Sequence, residues 1–167
     1  MQKKRVSRFH HSATLSLLNT KFSDIALTET WLNDQKNLKS LEIDGYKFEP
    51  NNRIGRTGGG VAFYVDENLS YTLRDDICFS TCESLLIEIP SKHGKNLIIA
   101  AIYRPDDNID DFTDELNVIL SKMDAENKTY WLTGDFNIDL LKYKNKTAIE
   151  IHYFRTLISL SFLLQPE

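Results

Sequence analysis

Apolar runs of strand length recur along the chain. They occupy residues 24–29, 61–65, 83–90, 97–103 and 130–134, and each has the length and composition of a buried strand. The run at 97–103 shows no alternation of polar and apolar positions, which is typical of a strand covered on both faces. A layered domain with sheet at its centre is therefore predicted.

Helical spacing of apolar residues appears in three other segments, at 12–22, 110–120 and 147–162. The middle segment opens with Asp110 and Asp111, which we interpret as a helix start because acids are favoured in the first turn, and not as a metal site. A Gly-containing turn at 91–95 predicts an antiparallel hairpin. Strands and helices together favour the α/β (α+β) class, with mixed sheet.

Composition agrees with a single globular domain, since 167 residues with 41% apolar content can bury a core. The longest apolar run is far shorter than the roughly 20 residues that cross a bilayer. The basic start is followed by polar residues, so no signal peptide, no membrane segment and an intracellular location are expected. Cys78 and Cys82 are too few for a disulfide scaffold or a structural zinc site.

The formal net charge of −4 argues against a protein that coats nucleic acid by charge alone. A locally basic groove stays open, because Arg53 and Arg56 lie together just before three consecutive glycines, residues 58–60. These glycines would allow close approach of a phosphate, but no Lys-Ser or Lys-Thr pair follows them. The segment is not a nucleotide-binding P-loop, and we interpret it as a flexible loop entering a strand.

Polar side chains follow three of the predicted strands. Asp135 and Asn137 close the run at 130–134, and alternation along an extended chain would place both on one face. A carboxylate beside an amide suits a hard cation and a phosphate, although Gly-Asp-x-Asn alone fits an ordinary turn equally well. Glu29 ends the first run, and Tyr103 and Arg104 end the run at 97–103. Such strand ends predict a site along one edge of the domain.

Four motifs in this order resemble those of the endonuclease/exonuclease/phosphatase superfamily, and most closely the apurinic-type endonuclease domain of non-LTR (LINE-like) retrotransposons. They are Thr28-Glu29-Thr30-Trp31-Leu32, Gly58-Gly59-Gly60-Val61-Ala62, Tyr103-Arg104-Pro105 and Gly134-Asp135-Phe136-Asn137. The resemblance divides the chain into an atypical N-terminal segment, 1–14, and a partial domain, 15–167. It implies an incomplete four-layer sandwich, in which two mixed β-sheets pack face to face with helices outside.

The resemblance also implies an activity, a cofactor and a partner. The activity is Mg²⁺-dependent (or Mn²⁺-dependent) hydrolysis of phosphodiesters in DNA, and the nucleus is the expected location. Glu29 would be a metal ligand, Tyr103 would bond the scissile phosphate, and Asp135 with Asn137 would align the attacking water. Arg104 and Arg56 are further candidates for contact with the substrate.

Two elements of the family pattern do not appear in this sequence. An Asn that helps to hold the metal is missing from the first 12 residues, and none of the four histidines follows an aspartate. Both ends of the domain are therefore expected to be cut or replaced, and we predict weak or no DNA cleavage. A decayed, non-catalytic binder of nucleic acid or protein, or a phosphomonoesterase of the same superfamily, stays open as an alternative.

Overall fold

The computed structural model describes residues 21–32, 41–55, 58–105 and 108–138. The predicted N-terminal segment 1–14, most of the predicted helix at 12–22, the predicted helix at 147–162 and Arg56 lie outside these ranges. No helix in the described ranges is both long enough and apolar enough to span a membrane.

Seven strands and one helix make up the described chain. In order they are β1 (Asp24–Thr28), β2 (Tyr46–Asn51), β3 (Val61–Asp66), β4 (Thr72–Leu73), β5 (Glu83–Ile89), β6 (Leu97–Tyr103), α1 (Ile109–Ala125) and β7 (Thr129–Asp135). The first sheet has the order β1-β3-β2 and is antiparallel. The second has the order β4-β5-β6-β7, and its β6–β7 pair is parallel, so this sheet is mixed as predicted.

Strand β6 lies at the centre of the layers and is buried on both faces. Its Ile98 and Ile102 pack with the apolar face of α1, which contributes Phe112 and Met123 among others. Its alternate residues, including Ile99, pack with Val61, Phe63 and Val65 of the first sheet. The described residues thus form a helix, a sheet and a second sheet in successive layers, which confirms the predicted α/β sandwich and explains the uninterrupted apolar run.

Helix α1 begins where the acidic residues indicated. Asn108 caps it by accepting a hydrogen bond from the Asp110 backbone N–H at 3.0 Å, and Asp110 and Asp111 fall in its first turn. The predicted hairpin between β5 and β6 is also present, with Ile89 paired to Leu97. These local patterns were sufficient because both the cap and the turn depend on neighbouring residues.

Ionic contacts join the second sheet to α1 near the N-terminal end of β6. The Arg74 guanidinium bonds Asp76, Glu88 and Glu126, at 2.7 to 2.8 Å. Glu88 also accepts from Lys128 at 2.6 Å. Burial alone would raise the pKa of Glu88, but the hydrogen bonds from Lys128, Asn96 and Arg74 outweigh it and lower that pKa to about 2.

Candidate functional site

The C-terminal ends of β6 and β7 place Tyr103 beside Asp135, because these residues are partners in the parallel ladder. On the other side of Tyr103, the antiparallel ladder places Glu83 of β5. Strand β1 lies against β6 and β7, and Glu29 follows its last residue. The Glu29 carboxylate neighbours the Tyr103 hydroxyl and raises the pKa of that phenol. The structure therefore brings Glu29, Tyr103 and Asp135 together at one edge of the sandwich.

The turn that carries Glu29 has an unusual backbone. Glu29 and Trp31 have φ values of 55° and 54°, in the left-handed region that non-glycine residues seldom adopt. Between them, the Thr30 hydroxyl oxygen is buried and has no hydrogen-bond partner among the described residues. Backbone strain of this kind costs on the order of 1–3 kcal/mol per residue and clusters at functional sites. The turn is held by its contacts with the glycine segment.

Residues 58–60, which directly precede β3, hold this turn. The Trp31 backbone N–H donates to the Gly59 carbonyl at 2.9 Å, and the Gly59 N–H reaches Glu29 Oε2 at 3.4 Å. The Trp31 indole N–H donates to the same Oε2 atom. The Gly59 backbone N–H and the Trp31 indole N–H thus position Glu29, in addition to its contact with Tyr103. Glu29 is nevertheless an exposed residue.

The Tyr103 hydroxyl is held in its neutral form. Its hydrogen bond to Glu29, with burial and the negative charges of Glu29 and Asp135, raises the pKa of Tyr103 to about 12, against a lowering effect of Arg53. At physiological pH the phenol is therefore a hydrogen-bond donor. This property agrees with a residue that binds an anionic oxygen.

An arginine–glutamate pair beside Tyr103 was missed by the sequence interpretation. Arg53 bonds Glu83 and its guanidinium lies 5.5 Å from the centre of the Tyr103 ring. Glu83 also accepts from the Gly60 N–H at 2.5 Å. A Cβ on Gly59 would lie 2.6 Å from both Arg53 Cζ and Glu83 Oε2, so the pair needs glycine there. The glycine segment 58–60, which we interpreted from the sequence as a flexible loop, is therefore a fixed support for the site.

Asp135 and Asn137 do not follow the alternation expected of a longer strand. β7 ends at Asp135, and Asn137 has a φ of 47°. The Asn137 N–H donates to Asp135 Oδ1 at 3.0 Å, and its side-chain amide donates to the Arg104 carbonyl at 2.6 Å. Asn137 therefore orders the loop after Asp135, while its predicted part in aligning water stays a prediction.

Arg104 is buried beneath this loop, with 2% of its surface exposed. Its Nε donates to the Phe136 carbonyl at 2.6 Å, and its guanidinium also donates to the Asn137 carbonyl. Arg104 thus joins the ends of β6 and β7. Direct contact of Arg104 with a substrate stays a prediction, as does that of Arg56, which lies outside the described ranges.

The charges around Tyr103 decide what the site can bind. Three carboxylates surround Tyr103. Glu29 neighbours its hydroxyl, and Glu83 and Asp135 flank it on the adjacent strands. Of these, Glu83 is already paired with Arg53. A phosphate would be repelled by this set unless a cation came with it. Within the described residues no group of three or more His, Cys, Asp or Glu side chains is arranged to hold a metal. Mg²⁺ needs only one or two carboxylates with waters, and Glu29 and Asp135 supply ligands of that chemical type.

Comparisons with known proteins bear on the fold. No family model matches the chain, and no curated protein matches its sequence. A solved structure, that of ANGEL2, a 2′,3′-cyclic phosphatase, superposes with a TM-score of 0.54 and 18% sequence identity. The two chains share a fold. The match covers 76% of this chain and 42% of the ANGEL2 chain.

The shared fold agrees with the predicted α/β (α+β) sandwich of two packed sheets. At 18% identity the likeness concerns the fold alone, and the chain spans less than half the length of the neighbour. Activity and substrate therefore have to be argued from the residues at the sheet edge.

Proposed function

We propose that this chain is a phosphodiester hydrolase domain that depends on a divalent cation, with DNA as its substrate. The observation that carries the proposal is the position of Tyr103, which is paired with Asp135 on the adjacent strand and neighbours the carboxylate of Glu29. The ordered motifs support a more specific origin in the endonuclease of a non-LTR retrotransposon. The shared fold with ANGEL2 supports a hydrolase of this superfamily.

Each residue has a distinct part in the proposed chemistry. Glu29, with Asp135 near it, would hold Mg²⁺ or Mn²⁺, and the bound ion would supply charge stabilisation at the phosphate. Tyr103, whose raised pKa keeps the phenol protonated, would donate a hydrogen bond to a phosphate oxygen. Asp135 would accept a proton from the attacking water as the water oxygen bonds to phosphorus, while the ester P–O bond breaks and the departing oxygen takes a proton from solvent.

A second substrate has a specific observation in its favour. ANGEL2 is described as a 2′,3′-cyclic phosphatase, and a cyclic phosphate is also a phosphodiester. The same three residues would serve hydrolysis of either ester, because both reactions add water to a phosphodiester phosphorus. The difference lies in the group that must be accommodated beside Tyr103, a DNA strand or a terminal ribose.

The test compares three substrates with Mg²⁺: supercoiled plasmid, a nucleoside 2′,3′-cyclic phosphate and a phosphomonoester. We expect slow plasmid nicking, since general acid/base and electrostatic groups each contribute roughly a hundredfold or more and no histidine here follows an aspartate. The nicking should disappear in Asp135→Ala and persist in Asp114→Ala, which removes an exposed acid from α1. Faster cleavage of the cyclic phosphate would favour the second substrate. Plasmid binding without any D135A-sensitive cleavage would favour a non-catalytic nucleic-acid binder.

A further inference from the structure

Arg53 reaches from the first sheet to the second and brings a positive charge to the ring of Tyr103. It follows the last residue of β2, Asn51, by two positions. The side-chain amide of Asn51 donates to the Ser84 carbonyl of β5 at 2.7 Å, which joins the end of β2 to β5. The guanidinium carbon of Arg53 lies 5.5 Å from the centre of the Tyr103 ring. A cation is thereby held at the edge where the carboxylates converge.

Three contacts fix the guanidinium in this position. Its Nε bonds one oxygen of Glu83, and the other oxygen accepts from the Gly60 N–H at 2.5 Å, so the acceptor is itself held by backbone. The guanidinium also lies against Gly59, where an added Cβ would be 2.6 Å from Cζ. The Tyr103 ring supplies the third contact. A donor that is already ordered loses little conformational entropy when it binds an anion.

The electrostatic reach of Arg53 extends beyond its ion pair. Burial alone would lower the pKa of Arg53, but the hydrogen bond and the charge of Glu83, with the neighbouring Tyr103 and Glu29, outweigh it and raise that pKa. In return, the charge of Arg53 opposes the rise in the pKa of Tyr103. Arg53 therefore stays charged and acts on the hydroxyl at which the proposed function places a phosphate.

The chemistry of the guanidinium allows Arg53 to bind Glu83 and a second anion together. An arginine carries several N–H donors in a rigid plane that matches the geometry of phosphate oxygens, and the bond to Glu83 uses Nε. A phosphodiester has more than one nonbridging oxygen, so it can accept from Tyr103 and from an arginine at the same time. The side chain of Arg53 keeps 19% of its surface exposed, so it is not sealed in the core.

We propose that Arg53 is a substrate-binding residue, which donates to a nonbridging oxygen of the phosphodiester at Tyr103 while Glu83 holds its Nε. The inference rests on the proposed function, which places the phosphodiester at Tyr103. Arg53 then offsets part of the repulsion between the substrate and the carboxylates of Glu29 and Asp135. Its role differs from theirs, because it binds the substrate and not the cation.

The experiment measures the affinity of the full 167-residue chain for a labelled single-stranded oligodeoxynucleotide as the concentration of KCl is varied. Ca²⁺ replaces Mg²⁺ to suppress turnover, and KCl is kept well above it so that the monovalent salt dominates the counterion atmosphere. Each phosphate contact on a single strand contributes about −0.7 to the slope of log affinity against log salt. We expect Arg53→Gln to make the slope less negative by about 0.7 and to weaken binding about 10- to 150-fold.

Three control variants separate substrate binding from net charge and from support of the fold. Arg53→Lys keeps the charge and should keep the slope, although it loses the planar fork and binds more weakly than wild type. Lys95→Gln removes the same charge from the exposed turn before β6, at the opposite end of that strand from Tyr103, and should change neither slope nor affinity. Glu83→Gln breaks the same ion pair but removes a negative charge beside the phosphate, so it should strengthen binding.

The proposal would be overturned by an unchanged slope in Arg53→Gln, by an equal change in Lys95→Gln, or by a slope that Arg53→Lys loses as fully as Arg53→Gln. Equal weakening in Arg53→Gln and Glu83→Gln would also overturn it, because that result assigns the pair to the fold alone. Absence of binding by the wild type would do the same. Thermal unfolding of each variant verifies that the compared proteins are folded.

The proposed function can fail without this inference, and the reverse also holds. A wild type that shows the Arg53-dependent slope but no plasmid nicking sensitive to Asp135→Ala would refute hydrolysis and keep Arg53 as a phosphate-binding residue. Nicking that depends on Asp135, with the slope unchanged in Arg53→Gln, would keep the hydrolase and refute the role of Arg53.

Discussion

Gly59→Ala is expected to break the ion pair that supports Tyr103. Gly59 has a φ of 72°, and an added Cβ would lie 2.6 Å from Arg53 Cζ and Glu83 Oε2. Both atoms end flexible side chains, so they can move aside without displacing backbone. That movement separates Arg53 from Glu83 and draws Glu83 away from the Gly60 N–H.

The expected cost has two parts. A left-handed φ costs an alanine about 1–2 kcal/mol, and a hydrogen bond to a charged group contributes about 1.5–3 kcal/mol. Together they lower the free energy of unfolding by roughly 2.5–5 kcal/mol. Gly45→Ala isolates the first part, because Gly45 has a φ of 81° and no atom within 4 Å of its added Cβ.

The cost of the lost hydrogen bond can be measured directly by urea unfolding of four variants: Gly59→Ala, Glu83→Ala, their double variant and Gly45→Ala. In the Glu83→Ala background, Gly59→Ala should cost only what Gly45→Ala costs, which leaves a coupling of about 1.5–3 kcal/mol between the two sites. Equal effects of Gly59→Ala and Gly45→Ala in the wild-type background, with no coupling, would refute a fixed role for the Arg53–Glu83 pair.

Three further predictions concern the site and the sheet. Glu29→Gln removes the anion beside Tyr103, so the pKa of the phenol should move from about 12 toward 10. Ultraviolet titration measures this ionisation, with Tyr103→Phe as the control that identifies the Tyr103 signal. An unchanged curve would contradict the interaction of Glu29 with Tyr103. The pKa of Glu88 is lowered to about 2 in the folded chain, so its contribution to stability is present above about pH 4.5 and is lost as the pH falls toward 2. Glu88→Gln should therefore flatten the plot of unfolding free energy against pH over that interval. An identical slope in wild type and variant would refute this prediction. Gly134→Ala places a Cβ 1.9 Å from the Ile102 carbonyl oxygen, so β7 must separate from β6. We expect the free energy of unfolding in urea to fall by more than about 3 kcal/mol, whereas Gly45→Ala should lower it by about 1–2 kcal/mol.

The central layers of the fold were predictable because their signals are local. The uninterrupted apolar run of β6 indicated burial on both faces, and the structure packs alternate residues against α1 and the first sheet. Strand β2 was missed, because Pro50 interrupts a short stretch in which Tyr46 and Phe48 alternate with polar residues. β2 is an edge strand of its sheet in the described chain, where proline is tolerated.

Part of the site was predictable for the same reason and part was not. Glu29 and Asp135 each follow an apolar run, so convergence of strand ends was sufficient to group them with Tyr103. Arg53 and Glu83 are 30 residues apart, and Arg53 belongs to no periodic pattern, so their pairing depends on how β5 meets the glycine segment. The strand alternation predicted for Asp135 and Asn137 does not hold, because β7 ends two residues before Asn137.

The most direct test of the proposed metal site is a Mn²⁺ titration of the full chain, with free Mn²⁺ followed by electron paramagnetic resonance. Loss of an outer-sphere partner already weakens metal binding about 10- to 100-fold, so Glu29→Gln and Asp135→Asn should each raise the dissociation constant by about tenfold or more. Asp114→Asn, which removes the same charge from the exposed face of α1, should leave it unchanged. Identical isotherms for wild type, Glu29→Gln and Asp135→Asn would contradict a divalent cation site beside Tyr103.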